Sequence, residues 1–386
     1  MHGPQQFRIS PFQSDLLDLS RWVAAFLVVI EHVRSLMFAD YGIGGRMNVI
    51  GKIFYFMTGF GHSAVMVFFV MSGFLVGGKV LERLAQGTFS WQKYAIDRSS
   101  RLYAVYVLAL LLGGALDQFG YVHFNQFGLY NESFPGRIPV VNFNFHADLS
   151  WTIFALNLGM CQTIFGPVLG SNGPLWSLAN EFWYYLAGPL IFVLLLRKGW
   201  RSITASLIAL AALIWFLPTA MLIYSLVWLM GAALYFMNSR RVLPLWCSLL
   251  LFLACFSLAR LQWLKVPYLA DFLIGISYSL LINSVAGSAR RLPWHLLNRT
   301  AADFSYSVYL CHFPFLVFVL SGLYQIAGLG LRGPRTPLTI GIFFLILLLV
   351  YVWCFLISLA TERQTPRIRE RLYRCLGQVP LMKLKS

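Results

Sequence analysis

The chain has 386 residues, of which 59% are hydrophobic and only 11% are charged. Soluble proteins of this length carry about a quarter charged residues, so the composition excludes an ordinary soluble domain and a disordered chain. Lys and Arg number 30 against 14 Asp and Glu, a formal net charge of +16. On so apolar a chain this excess indicates membrane topology rather than nucleic-acid binding, since Lys and Arg collect in cytoplasmic loops. The six cysteines form no CxxC pair, which indicates neither a disulfide framework nor a zinc site.

Apolar runs of about 20 residues recur along the chain, and each is about long enough to cross the hydrocarbon core of a bilayer. The sequence therefore predicts an all-α integral membrane fold, with about ten transmembrane helices in a single domain over residues 1–386. Residues 1–15 are polar and show no cleavable signal. The predicted spans are 16–39, 60–79, 102–119, 176–196, 202–217, 219–237, 243–261, 267–286, 303–326 and 338–360.

The basic residues are distributed unevenly between the two sides of this predicted bundle. With the N-terminus in the cytoplasm, 22 of the 30 Lys and Arg residues fall on the cytoplasmic side and 8 fall outside. Seven of the 22 lie in a basic tail at 361–386. The distribution therefore predicts that both termini are cytoplasmic.

One long segment, 120–175, is expected to lie outside the membrane. It is rich in aromatic residues and Asn, and its single basic residue is Arg137. A loop of this length is usually either functional or disordered. Two interpretations stay open, a lid packed on the helices and a vestibule that faces a sugar. The stretch 151–165 is apolar but too short to span, which indicates a re-entrant or interfacial helix.

The first predicted helix carries the most informative residues. Arg21 and His32 are eleven residues apart, so they project from the same helix face, about 16 Å apart along the axis. Charged groups inside a spanning helix are expensive and usually face a cavity. A cation near the cytoplasmic end and a base deeper in the membrane suit a long ligand with a phosphate-bearing head, such as a coenzyme A thioester. Histidine can accept a proton from an attacking hydroxyl near neutral pH.

The neighbours of these two residues leave alternatives open. Asp18 lies one turn before Arg21 and is expected to pair with it or orient it. His32 could instead be a hydrogen-bonded residue between helices, and Arg21 a snorkelling anchor at the membrane interface. Glu31 points about 100° away from His32 around the helix, so we do not expect it to orient the imidazole.

Five segments of the chain resemble motifs of one known family. Arg21 followed after ten residues by His32 is similar to the Arg-x10-His signature of the integral-membrane acyltransferase family 3. Within segment 17–24, Leu19 stands where the family usually has Gly, and within segment 98–106, Ala104 stands where the family has Pro. The segments that resemble the family, in the same order along the chain, are 17–24, 67–75, 98–106, 174–186 and 304–314.

The resemblance implies a fold of ten helices around a central cavity, in the stand-alone form without an appended hydrolase-like domain. It implies an O-acyltransferase of the inner membrane that carries an acyl group, usually acetyl, from cytoplasmic acyl-CoA to a hydroxyl of an extracytoplasmic glycan such as O-antigen or exopolysaccharide. The expected partners are therefore acetyl-CoA inside, a glycan outside and the surrounding lipids. No metal and no nucleic acid are expected.

The same resemblance implies roles for individual residues. His32 would be the catalytic base or, as the less favoured alternative, a transient acyl carrier. Arg21 would bind a phosphate or hold the thioester. Arg98 and Arg101 would grip the phosphates of coenzyme A, although a positive-inside flank would also place two arginines there.

Further residues are expected on the acceptor side. Glu181 is predicted to orient the imidazole or to hydrogen-bond the sugar, with an interfacial structural carboxylate as the alternative. Trp176 and Ser177 are predicted to line the acceptor side, and Asp18 completes the predicted substrate-binding set. Tyr309 and His312 are expected to pack helices.

Two other functions remain possible at this stage. A family member could acylate a small molecule or a lipid head group by the same chemistry. Alternatively, the protein could transport a glycan or lipid, with Arg21, Glu31, His32 and Glu181 as charges along the pathway. The absence of an apparent internal repeat disfavours a transporter, and consumption of acetyl-CoA would separate the two classes.

Overall fold

The computed structural model describes residues 8–42, 48–126, 128–130, 149–237, 241–261, 263–328 and 332–377, which form helices and no strand. A π-helical turn, Gly73–Gly77, directly follows Ser72, and a 3-10 turn, Glu362–Gln364, directly precedes Thr365. The helices are α1 Pro11–Met37, α2 Val49–Met57, α3 Gly61–Ser72, α4 Gly78–Ala85, α5 Trp91–His123, α6 Trp151–Leu158, α7 Leu175–Leu195, α8 Trp200–Phe216, α9 Thr219–Met237, α10 Leu245–Leu261, α11 Leu269–Ser284, α12 His295–Ala302, α13 Ser305–Ala327, α14 Pro337–Ala360 and α15 Thr365–Cys375.

Each predicted span overlaps one of these helices, which confirms the all-helical fold. Six helical stretches are long and apolar enough to cross a membrane: Val49–Ala85, Trp91–His123, Leu175–Leu195, Thr219–Met237, Ser305–Ala327 and Pro337–Cys375. Helices α8, α10 and α11 are apolar but shorter, and α1 carries several charges. Ten crossings and cytoplasmic termini stay predictions.

The described chain forms two compact units. The first comprises the segment that ends at Ala24, together with His62–Ser90 and Asn180–Ala302. The second comprises Ala25–Gly61, Trp91–Ala179 and the segment that begins at Asp303.

In the first unit, the start of α1 is fixed by a capping box. The Ser10 hydroxyl accepts a hydrogen bond from the Gln13 N–H (3.3 Å), and the Gln13 side chain accepts one from the Ser10 N–H (3.0 Å). This exchange satisfies N–H groups that a helix start otherwise leaves without partners. The Ser10 hydroxyl also donates to the Val285 carbonyl (3.0 Å), and buried Asp15 pairs with Arg291 (2.7 Å). These contacts hold the helix that carries Arg21.

Also in the first unit, glycines let α9 approach the π-helical turn closely. A Cβ on Gly73 would lie 1.8 Å from the Trp228 carbonyl oxygen, and a Cβ on Gly231 would lie 2.0 Å from the Val70 carbonyl oxygen. Both distances are below any real van der Waals contact, so the two backbones can meet only at glycine. The π-helical turn directly follows Ser72, and such turns frequently occur at functional sites.

In the second unit, α13 packs against α5 and α14, and α15 packs against α5. The Asp117 carboxylate near the end of α5 accepts hydrogen bonds from the N–H (2.6 Å) and hydroxyl (2.8 Å) of Ser171, which fixes the chain before α7. The helix predicted within 151–165 is present as α6. Residues 127 and 131–148 of the predicted extracytoplasmic segment 120–175 lie outside the described residues, as does the end of the basic tail.

Candidate functional site

Two histidines, His32 of α1 and His312 of α13, meet in the second unit. The Nδ1 atom of His32 lies 2.8 Å from Nε2 of His312. The two rings are nearly parallel, with an angle of 10° between their planes and centroids 5.1 Å apart. The His32 ring also makes an edge-to-face contact with the Phe313 ring, with a centroid distance of 4.9 Å. His312 is fully buried, whereas His32 retains some exposed surface. The sequence predicts that His312 packs helices, and its buried position between α1 and α13 agrees with this; its ring also contacts the predicted base.

Helix α13 orients His312 through its own backbone. The Nδ1 atom of His312 lies 2.8 Å from the Val308 carbonyl oxygen and 3.0 Å from that of Tyr309. Carbonyl oxygens only accept hydrogen bonds, so Nδ1 carries the proton. In the neutral ring, Nε2 of His312 is then an acceptor.

This assignment determines the state of His32. Its Nδ1 must donate to Nε2 of His312, which leaves Nε2 of a neutral His32 with a lone pair. Among the described residues, that nitrogen has no hydrogen-bond partner. The hydrogen bond of one ring nitrogen commonly determines which nitrogen of an imidazole carries the proton. Here the bond to His312 places the proton of His32 on Nδ1. The arrangement therefore presents a basic nitrogen of defined orientation.

Pro314 shapes the helix around His312. It lies inside α13 and lacks the N–H that would bond the Leu310 carbonyl. The side chain of Asn172 donates to that carbonyl instead (2.9 Å). Gly113 of α5 admits the proline ring, because a Cβ there would lie 3.1 Å from Pro314 Cγ. The segment 304–314 is thus held by α5 and by the chain before α7.

Ser177, predicted on the acceptor side, belongs to the same unit. Its hydroxyl lies 2.6 Å from that of Tyr309 and donates to the Pro174 carbonyl (3.2 Å). The Tyr309 ring lies 6.5 Å from the His312 ring, between centroids. The structure therefore brings Ser177 into the surroundings of the histidine pair. Trp176 is half-buried in the first turn of α7.

Glu181 lies in the first unit, where several side chains converge on one oxygen. The Oε1 atom accepts a hydrogen bond from the Ser72 hydroxyl (2.5 Å) and another from the Tyr185 hydroxyl. The indole N–H of Trp228 donates to the Ser72 hydroxyl oxygen (3.1 Å). No described residue bonds Oε2 of this half-buried carboxylate. The predicted convergence of Glu181 with His32 stays a prediction.

The charged residues of α1 are paired along the helix. Asp18 lies 3.6 Å from Arg21, which confirms the expected pair in the first unit. In the second unit, Glu31 lies 3.5 Å from Arg34 and also accepts a hydrogen bond from the Gly61 N–H. Glu31 thus has partners other than His32, in agreement with its direction around the helix.

The arginines predicted to hold coenzyme A lie in the first part of α5, in the second unit. Arg101 lies 3.4 Å from the buried carboxylate of Glu362, with its guanidinium 5.5 Å from the Tyr306 ring centroid. Glu362 also accepts hydrogen bonds from the N–H and hydroxyl of Ser307, each 3.1 Å long. Arg98 is half-buried. Arg101 therefore also links α5 to the residues that precede α15.

Sequence reasoning gave no functional role to Ser72 and Tyr185, and it did not predict the contact of His312 with His32. Ser72, Tyr185 and His312 each lie in a segment that resembles a family motif, and each is a polar group within a long apolar run. An ionisable residue inside a membrane is a functional candidate by default, so this signal could have selected His312. Among the described residues, no group of three His, Cys, Asp or Glu side chains could hold a metal ion.

Parts of this chain are similar to two curated proteins. A curated relative, acyltransferase MdmB of Streptomyces mycarofaciens, is 27% identical over 188 residues, which cover 47% of this chain and 40% of the relative. An uncharacterized protein of Haemophilus influenzae is 30% identical over 132 residues, which cover 34% of this chain and 49% of the relative. Each match thus spans less than half of the relative's length. No solved structure gives a significant match.

The family match is much longer than either of these pairwise matches. The model of the acyltransferase 3 family, which is described as an acyltransferase domain, matches residues 15–359. This range includes both histidines, Glu181 and the arginines of α5. Together with the apolar helices, it identifies a membrane protein. The chain belongs to the acyltransferase 3 family.

Proposed function

We propose that this protein is an inner-membrane O-acyltransferase, which moves an acetyl group from cytoplasmic acetyl-CoA to a hydroxyl of an extracytoplasmic glycan. The observation that carries the proposal is the His32–His312 pair, in which one ring holds the tautomer and orientation of the other. Membership of the acyltransferase 3 family supports acyl transfer. The relative MdmB is also named an acyltransferase. The donor, the acyl group and the acceptor belong to the proposal.

The reaction follows from the free lone pair of His32. Nε2 accepts the proton of the acceptor hydroxyl while the hydroxyl oxygen forms a bond to the thioester carbonyl carbon. The ring becomes an imidazolium, and its Nδ1–H keeps its hydrogen bond to His312. When the tetrahedral intermediate collapses, the C–S bond breaks, and the departing sulfur takes the proton from Nε2. The products are the acyl ester and free coenzyme A, and His32 returns to its neutral state.

The donor is proposed to enter past Arg21, Arg98 and Arg101. Arginine suits this task, because its planar guanidinium can bind phosphate oxygens in pairs. The Glu362 carboxylate beside Arg101 is itself an anion. A phosphate there therefore has to compete with Glu362 or share the guanidinium with it.

The acceptor is proposed to contact Glu181, Trp176 and Ser177, with Asp18 orienting Arg21. Oε2 of Glu181, which no described residue bonds, can accept a hydrogen bond from a sugar hydroxyl. Ser177 adjoins the histidine pair through Tyr309. Acylation of a small molecule or lipid head group would use the same base and is the second candidate. Transport without chemistry is the third.

The proposal is tested with purified protein in lipid nanodiscs, given acetyl-CoA and isolated surface glycan. We expect release of free coenzyme A thiol together with an acyl mass gained by the glycan, both of which His32→Ala abolishes. Thiol release with a small hydroxyl compound or lipid, and not with glycan, would select the second candidate. An intact thioester in every reaction would contradict acyl-CoA-dependent transfer.

A further inference from the structure

Two arginines of the second unit contact a single buried tyrosine. The guanidinium carbons of Arg34 and Arg335 lie 5.3 and 5.2 Å from the centroid of the Tyr55 ring. The Tyr55 side chain is 3% exposed. A ring attracts a cation through its negative face, but two guanidiniums at one ring also repel each other. The site is therefore stable only where nearby anions balance the cations.

Among the described residues, Arg34 and Arg332 have carboxylate partners and Arg335 has none. Arg34 lies 3.5 Å from Glu31 and donates to the Thr58 carbonyl (3.3 Å). Arg332, three residues before Arg335, pairs with Asp40. Arg335 is half-buried, and in the described part of the chain it has no carboxylate and no hydrogen-bond acceptor. One stacked guanidinium thus retains all of its hydrogen-bond donors.

The helix that carries Tyr55 has an apolar face turned outward. The exposed fractions of Val49, Ile50, Ile53 and Met57 are 70%, 77%, 57% and 55%. Their spacing places these side chains on one side of α2, whereas Tyr55 projects from the other. Asn48 caps the helix, which ends after nine residues at Met57. In a membrane protein, such an exposed apolar face is expected to contact the acyl chains of the lipids.

The position of Arg335 along the chain indicates which anion it meets. Arg335 lies two residues before Pro337, where an apolar stretch long enough to cross a membrane begins, and the ends of such stretches lie near the lipid headgroups. Lys52 of α2 is exposed, which adds positive charge to the helix that carries Tyr55. Tyr41, 57% exposed and 5.8 Å from the Tyr55 ring between centroids, is a residue type enriched at this depth.

We propose that Arg335, stacked on Tyr55, binds the phosphate of an anionic phospholipid headgroup, while the apolar face of α2 contacts the acyl chains of the bilayer. Guanidinium groups bind phosphate oxygens bidentately, and the Tyr55 ring holds the group in one orientation. The lipid phosphate gives Arg335 the acceptor that no described residue gives it. This site uses none of the residues assigned to acyl transfer.

Native mass spectrometry of the full chain tests the site directly. The protein is released from nanodiscs that contain phosphatidylglycerol and phosphatidylcholine, and the retained lipid is identified and titrated. A hydrogen bond to a charged group contributes about 1.5–3 kcal/mol, so Arg335→Gln should weaken phosphatidylglycerol binding about tenfold or more. Arg332→Gln is the matched control, because it removes the same charge from the same loop. We expect it to change this binding less than about twofold.

Two further variants keep the test decisive if Arg335→Gln folds poorly. Arg335→Lys retains the charge but loses the planar stack, so binding should fall between the wild type and Arg335→Gln. Tyr55→Phe retains the ring and should bind phosphatidylglycerol as the wild type does. Equal losses in Arg332→Gln and Arg335→Gln, or equal retention of phosphatidylcholine, would overturn the proposal. Displacement of the lipid by millimolar inorganic phosphate would also overturn it, since the site would then take a free anion.

Discussion

The two polar clusters of this protein, one in each unit, use hydrogen bonds in different ways. In the second unit, the bonds run in one direction, from His32 to His312 and from there to backbone carbonyls of α13. In the first unit, hydroxyl groups on two helices converge on a single oxygen of Glu181. Within the described ranges, the first arrangement leaves the Nε2 lone pair of His32 without a hydrogen-bond donor, and the second leaves Oε2 of Glu181 without one.

This difference separates two chemical tasks. A chain of donors that ends on fixed carbonyls holds one tautomer and lets His32 gain and lose a proton without rearrangement of its neighbours. Around Glu181, two O–H donors hold one carboxylate oxygen in place and so orient the other to accept a hydrogen bond. We therefore expect substitutions in the histidine pair to change the rate of chemistry, and those around Glu181 to change acceptor binding.

The largest effect is expected for His32→Ala. General base catalysis contributes about 10²- to 10⁴-fold, so kcat should fall by that amount while the donor still binds. The measurement is coenzyme A release at saturating acceptor, with donor affinity from calorimetry. His295→Ala, at the start of α12, is the control, and we expect full activity. Turnover of His32→Ala near that of the wild type would refute the role of the base.

His312→Phe should give the next largest loss. It removes the acceptor of the His32 Nδ1–H and leaves that donor buried without a partner, a cost of about 1–3 kcal/mol. The other tautomer of His32 then becomes accessible, and we expect kcat to fall about 10- to 100-fold. His312→Gln restores a side-chain acceptor and should recover part of the rate. If both variants lose the same activity and show the wild-type pH profile, His312 only packs the helices.

The sequence predicts the helices and the charges of α1 well, because both depend on local spacing. Apolar runs of a given length predict the helical spans, and Asp18 and Arg21 are one helical turn apart, so their contact follows from helix geometry. The contact between His32 and His312 joins residues 280 positions apart. No periodicity contains that information, and His312 therefore looked like any polar residue of a packed helix.

The π-helical turn and the pairing of Arg101 also escape a reading of the sequence. The turn lies where two backbones approach closely at Gly73 and Gly231. Since each glycine alone is compatible with an ordinary α-helix, the sequence does not indicate the turn. Arg101 has the position expected of a positive-inside residue, and only the folded chain brings it to Glu362. Long-range contacts thus decide the polar networks, while local composition decides the helices.

A smaller effect is expected for Glu181→Gln. Glutamine keeps an oxygen for Ser72 and Tyr185 but loses the charge, and a neutral hydrogen bond is weaker than a charged one by about 1–1.5 kcal/mol. The KM for the acceptor should rise about tenfold, with the KM for acetyl-CoA unchanged. Initial rates at varied acceptor concentration measure this split. A fall in kcat with both KM values unchanged would instead place Glu181 in the chemical step.

The smallest effect, and the most selective one, is expected from two adjacent tyrosines of α7. The Tyr185 hydroxyl donates to the carboxylate of Glu181, whereas that of Tyr184 donates to the Met221 carbonyl (2.8 Å). Each Phe variant removes one hydroxyl from the same helix. Tyr185→Phe should raise the acceptor KM about threefold to tenfold, since one bond that orients the carboxylate is lost.

Tyr184→Phe should leave the acceptor KM unchanged and lower thermal stability instead, because the Met221 carbonyl loses its donor. Kinetics and thermal unfolding of the two variants therefore change in opposite patterns if Glu181 binds the acceptor. If both variants lose stability and neither changes the KM, the cluster around Glu181 only holds helices together. Acceptor binding would then be assigned to Trp176 and Ser177 alone. The assignment of the histidine pair to proton transfer would not change.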